Sequence, residues 1–104
     1  MLSVRLICVG KMRERFYIDA FSEYAKRLQA YCRLECVELA EQRLGDAPSQ
    51  KEIDAALSRE AAEIMKNIPA GAYTVAMCVE GRQMKSEGMA GLISGCAASG
   101  RSKL

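Results

Sequence analysis

The chain has no histidine. That removes the usual general base near neutral pH and excludes Ser-His and Cys-His hydrolases. It also has no apolar run near the roughly eighteen residues that a membrane-spanning helix requires. Its apolar start, "MLSVRLICVGKMRER", has no basic region ahead of it. This reads as a first strand and not as a signal peptide. A cytoplasmic protein that uses no membrane is expected. No GxGxxG follows the first strand, where "CVGKMRER" stands, and no GxxxxGK[ST] occurs. A dinucleotide turn and a P-loop are therefore unsupported. There is no CxxC, no internal repeat and no low-complexity tract. The cysteines are Cys8, Cys32, Cys36, Cys78 and Cys96. An odd count without a leader argues against a disulfide framework. Cys32 and Cys36 have no histidine to complete a zinc site, so no metal is expected. Cys8 and Cys78 fall in predicted strands and Cys96 on an apolar helix face, so all three are expected as buried free thiols. Without CxxC or a basic activating neighbour, a thiol-redox protein is disfavoured.

What is present fits one domain. The chain has 104 residues, half of them hydrophobic, enough for a modest core. Its net charge of +2 is unevenly spread. Residues 1–33 carry +4, residues 34–80 carry −5, and residues 81–104 carry +3. If the two basic ends meet, they form a patch for an anionic partner. Ordinary solvated surface gives the same asymmetry.

The pattern predicts α/β alternation. "SVRLICVG" is a short apolar run closed by glycine, suited to a strand buried on both faces. A helix is expected from about Arg13 to Tyr31. Tyr17, Ala20, Phe21, Tyr24, Leu28 and Tyr31 would form its apolar face, and Glu23 would pair with Arg27. "RLECVEL" reads as a second strand. Ser49 and Glu52 make a capping box for a helix whose inward line is Ile53, Leu57, Ala61, Ile64 and Ile68. Pro69 and Gly71 stop it. "AYTVAMCVEG" predicts a third strand from about Tyr73 to Val79. A last helix begins with Ser86 as its cap, shows Met89, Leu92, Ile93 and Cys96 on one face, and ends at Gly100. Lys103 and Leu104 look like the first step of one more strand. The order β-α-β-α-β-α implies a parallel sheet covered by helices. A last helix of this kind packs where a further strand follows it, so an open strand edge is expected.

Ligands of open α/β sheets bind beyond the carboxyl ends of the strands. The end of the third predicted strand is "MCVEGRQMKSEG". There Met77 offers an apolar side chain to a flat ring, and Gly81 allows close approach or an unusual backbone angle. "VGK" after the first strand offers backbone N–H groups and Lys11 to an anion.

Three stretches occur in one order at matching spacing: "VRLICVGKMRERFYIDAFSEYAKRL", "SQKEIDAALSREAAEIM" and "TVAMCVEGRQMKSEGMAGLISGCAASGRS". Together they span nearly the whole chain. They resemble the ribosomal RNA large subunit methyltransferase H family, of the SPOUT (α/β-knot) class. The resemblance implies an S-adenosylmethionine-dependent enzyme that methylates N3 of a pseudouridine in large-subunit ribosomal RNA. It implies a homodimer acting on the ribosome in the bacterial cytoplasm. Methyl transfer from a sulfonium needs neither metal nor histidine; the protein mainly orients cofactor and acceptor. Met77 stands at a cofactor-contacting strand end, where the family usually has leucine. Arg82 stands where lysine is common. Lys11, Arg13, Arg15, Arg82 and Lys85 are the candidates for RNA phosphate contact. After "G-x-S" the family continues into a strand, a glycine-rich cofactor loop and a knotted segment that contribute most of the cofactor site. The single domain, residues 1–104, thus corresponds to the part before that loop and knot. The alternative expectation is an inactive remnant that serves as a scaffold or oligomerisation piece. The final Ser-Lys-Leu matches a peroxisomal address, but a bacterial resemblance makes it a chance tripeptide.

Overall fold

A computed structural model describes residues 2–104. Its elements in chain order are β1 (Leu2–Val9), α1 (Arg15–Leu28), β2 (Cys32–Leu39), α2 (Gln50–Asn67) and α3 (Ser86–Ala98). β1 and β2 pair in parallel with Leu2 opposite Cys32 and Val9 opposite Leu39. The expected α/β class and parallel sheet are present. α1 is the crossover between the two strands, as a parallel pair requires. α1 packs on β2, and α2 packs on both strands.

The helix limits follow local chemistry. Ser49 caps α2: the Glu52 N–H donates to its Oγ at 3.2 Å. Glu23 and Arg27 pair at 3.0 Å on α1. Gly10, Gly71 and Gly100 all have positive φ, so the residue type follows from the backbone at each of these three breaks. The cap of α3 differs from expectation. Lys85 holds the N-cap position, and Ser86 is already helical with no capping bond from a side chain.

Two inward lines also differ. On α1 the half-buried residues are Ile18, Phe21 and Ala25, while Tyr17, Tyr24 and Tyr31 stay exposed. On α2 the inward line is Ile53, Ala56, Glu60 and Ile64, and Leu57 faces out. In both helices the contact stripe is rotated from the line of largest apolar residues. Glu60 is tolerated inside because its carboxylate accepts the Gln42 N–H at 2.8 Å. The apolar face of α3 is as expected, with Cys96 buried and Met89, Leu92 and Ile93 half-buried.

The third strand is not formed. Residues 73–78 carry no ladder, although they hold the β-branched and apolar residues of a strand. The reason is hydrogen bonding: a strand exists only beside a neighbour. The neighbour here is three residues long, Ser102–Leu104. Ser3 pairs in parallel with Lys103 on the side of β1 away from β2. The Ser3 N–H donates to the Ser102 carbonyl at 2.8 Å, and the Leu104 N–H donates to the Ser3 carbonyl at 2.9 Å. The Tyr73 N–H then donates to the Lys103 carbonyl at 2.9 Å. The expectation of a nascent strand at Lys103 and Leu104 is met. It lies between β1 and Tyr73.

β1 is not buried on both faces: Leu6, Cys8 and Val9 are exposed. Cys78 is exposed too, so of the thiols expected inside only Cys96 is buried, joined by Cys32. The sheet lacks a cover over Cys8, and Cys78 lies on the unpaired segment. Arg5 ties the elements together. Its guanidinium donates to Glu35 Oε2 at 2.9 and 3.1 Å and to the Asn67 carbonyl at 2.8 Å. One side chain thus joins β1, β2 and the end of α2.

Candidate functional site

The carboxyl ends of β1 and β2 lie side by side, with the Gly10 N–H donating to the Leu39 carbonyl at 2.7 Å. The connection from β1 to α1 leaves from here and carries Lys11, Arg13 and Arg15, all exposed. Acidic residues from the end of β2 fix it. Glu38 Oε2 accepts the Met12 N–H at 3.2 Å, and Glu41 pairs with Arg13 at 3.4 Å. Arg15 pairs with Asp19 one turn on, at 3.3 Å. These pairs are exposed and contribute ~1 kcal/mol or less each. They hold the basic side chains loosely. The Glu38 and Glu41 anchors were missed by sequence reasoning. Their signal was the polar residues closing the apolar run of β2.

Met77 and Gly81 lie on the unpaired third segment. Met77 is 84% exposed. The Gly81 N–H donates to the Cys78 carbonyl at 3.1 Å, closing a tight turn. A Cβ on Gly81 would sit 3.1 Å from that carbonyl oxygen. The glycine is held close to the carbonyl of its own turn, and the unusual backbone angle also expected there is absent: its φ is not positive. Arg82 and Lys85 follow in the exposed connection to α3. Among the described residues no hydrogen bond or ion pair joins them to Lys11, Arg13 or Arg15.

Cavities do not single out this end. A shallow hollow of about 480 Å³ lies at the opposite, amino end of the strands, lined by Ser3, Arg5, Arg33, Glu35, Lys103 and others. One of its cations, Arg5, is already committed to Glu35 and Asn67. A second, of about 470 Å³, is an open surface at Gln83, Met84 and Lys85. Gly88 lies close against Met84: a Cβ there would sit 2.8 Å from its Cγ.

One thiol of the sheet, Cys36, is held in its protonated form. Burial, reinforced by Cys8 alongside and then by Glu38, holds the Cys36 thiol above its ordinary range. It stays protonated and unreactive near neutral pH. No group of three metal-ligating side chains is present among the described residues.

A family profile described as "Predicted SPOUT methyltransferase" matches residues 2–104. The chain is 40% identical over 103 residues to "Ribosomal RNA large subunit methyltransferase H" of Streptococcus pyogenes serotype M12 (strain MGAS2096). The match covers 99% of this chain and 65% of the relative. The protein of the same name from S. pyogenes serotype M5 (strain Manfredo) matches with the same identity and coverage. The chain therefore spans a little under two thirds of the length of the curated relatives it matches. Parallel strands joined by a helical crossover, basic residues at their carboxyl ends and a match running through almost every residue agree: the chain belongs to the SPOUT methyltransferase family.

Proposed function

We propose that this chain serves methylation of large-subunit ribosomal RNA, with S-adenosylmethionine as methyl donor and N3 of a pseudouridine as acceptor. The observation that carries this reading is the 40% identity across 99% of the chain to proteins named for RNA methylation. The basic residues at the strand ends support it, since a phosphate backbone is recognised by such charge. Lys11, Arg13, Arg15, Arg82 and Lys85 contact RNA phosphates in this reading. A homodimer working on the ribosome in the bacterial cytoplasm completes it.

The residues present here do not by themselves hold the cofactor. Met77 stands open to solvent and Gly81 closes a turn, with no enclosing wall around either. A site for a molecule of that size buries most of its surface. Met77 and Gly81 supply one side of it: an apolar contact and a close backbone approach. The methyl group itself comes from the cofactor's sulfonium.

The RNA half of this reading is testable by filter binding to large ribosomal subunits across a salt series. Replacing Lys11, Arg82 and Lys85 together by alanine should weaken binding and flatten the dependence of log K on log salt. The expected change is about 0.7 to 0.9 in slope for each phosphate that is no longer neutralised. An unchanged slope would remove these residues from the RNA surface.

A further inference from the structure

The connection from β2 to α2, residues 40–49, has no regular structure of its own. It is longer than the usual connection of about two to six residues, so it moves freely unless side chains fix it. Here they fix it on both flanks. Towards α2, Gln42 is held twice. Its N–H donates to Glu60 Oε2 at 2.8 Å, and its Oε1 accepts the Arg59 Nε–H at 2.9 Å. Towards the β1–α1 connection, Glu41 Oε1 accepts from Arg13 at 3.4 Å. Glu60 is half-buried and ionised, which makes its bond to the Gln42 N–H stronger than one between neutral groups. Two connections and the middle of α2 therefore meet at Glu41 and Gln42.

Arg43 comes next in the chain. It is exposed, and among the described residues it makes no side-chain hydrogen bond and no ion pair. The other arginines near it are engaged: Arg13 with Glu41, Arg15 with Asp19 and Arg59 with Gln42. The nearest acids, Glu41 and Glu60, are engaged in turn. Asp46, beyond Gly45, is exposed and gives Arg43 no bond. Arg43 follows Glu41 by two residues, at most about 7 Å of chain, so it belongs to the same end of the sheet as Arg13. Its planar guanidinium suits a phosphate, which it can grip with two parallel N–H bonds.

We propose that Arg43 is a further RNA phosphate contact, positioned by the clamp of Glu60 and Arg59 on Gln42. A clamped loop has little freedom left to lose on binding, whereas a loose one must be ordered at that moment. The role of Arg43 rests on the RNA-methylating reading above; the clamp does not.

The test extends the salt series with large ribosomal subunits to single variants. Arg43→Ala changes one exposed side chain and should fold as the parent does. It should flatten the slope of log K against log salt by about 0.7 to 0.9, the value of one phosphate. Glu60→Ala should weaken binding about two- to tenfold at every salt and keep the parent slope, because the contact survives in a loop that must now be ordered. Glu60→Gln removes the same charge but keeps an oxygen for the Gln42 N–H, and should restore parental binding. Gln42→Ala cuts the Arg59 bond alone. It should show the Glu60→Ala pattern more weakly, and it decides the positioning role where Glu60→Ala folds poorly in urea titration. An unchanged slope in Arg43→Ala would overturn the proposal. If the Lys11, Arg82 and Lys85 variant still flattened the slope, the RNA reading would stand without Arg43. Unchanged slopes in both would count against that reading itself. Equal losses in Glu60→Ala and Glu60→Gln, or parental binding by Gln42→Ala and Glu60→Ala, would remove the positioning role of the clamp.

Discussion

At the scale of the residue, two side chains set measurable properties. Arg5 bridges β1, β2 and the end of α2 with its guanidinium, partly sheltered from solvent. Arg5→Ala frees the Asn67 carbonyl and Glu35 together and should lower stability by about 1–2 kcal/mol in urea titration. Glu35→Ala should cost less, because the bond to Asn67 survives. Cys36 sets a pH effect. Its thiol is raised, first by burial and then by Cys8, so the folded chain holds that proton more tightly than the unfolded chain does. The resulting stability is fully present below the ordinary thiol range and is lost as pH rises through it toward the raised value. A Cys36→Ala variant should therefore show a flatter decline in urea midpoint between neutral and alkaline pH than the parent. Parallel declines would contradict the assignment. Alkylation adds a second readout: Cys8 and Cys78 are exposed and should react before Cys32 and Cys96, which are buried.

At the scale of the element, the helices were legible in the sequence and the sheet only partly so. Helices close their bonds within one segment, so spacing, the Ser49 cap and the breaks at Gly71 and Gly100 suffice to place them. The faces were less legible. Tyr17 and Tyr24 mark the apolar stripe of α1 by size, yet Ile18, Phe21 and Ala25 make the contact. A strand depends on a partner elsewhere in the chain, so Tyr73–Val79 has the composition of one and not the ladder. The candidate site shows the same division. Lys11, Met77 and Gly81 were placed by their position after a predicted strand, and Arg13, Arg15, Arg82 and Lys85 came with the resemblance. The setting of Met77 and Gly81 depends on the unformed strand. α3 offers a prediction of its own. Gly91 and Gly95 have open space where a Cβ would go and ordinary helical backbone. Gly91→Ala and Gly95→Ala should each stabilise by about 0.5–1 kcal/mol, seen as a rise in melting temperature. Gly100→Ala, at a φ of +81°, should do the reverse.

At the scale of the whole molecule, the chain is open. Its radius of gyration is 16.1 Å, whereas a compact chain of this length has about 13 Å. Its accessible surface is 8586 Å², against about 5,800 Å² for a compact monomer of its mass. The difference exceeds what a standard protein interface buries per partner. Phe16, Tyr24, Tyr31, Met77 and Val79 lie on that surface. Such a surface supports the proposed dimer. It predicts strong binding of the apolar dye ANS in native buffer. Dye fluorescence at the level of a compact monomer would show those faces to be covered. The proposed function itself is tested in cells. Disrupt the gene in its own organism, isolate large-subunit ribosomal RNA, and measure its methylated pseudouridine by nucleoside mass spectrometry. The methyl mark should disappear and return when the intact gene is restored. An unchanged level after disruption would contradict the methyltransferase reading of this chain.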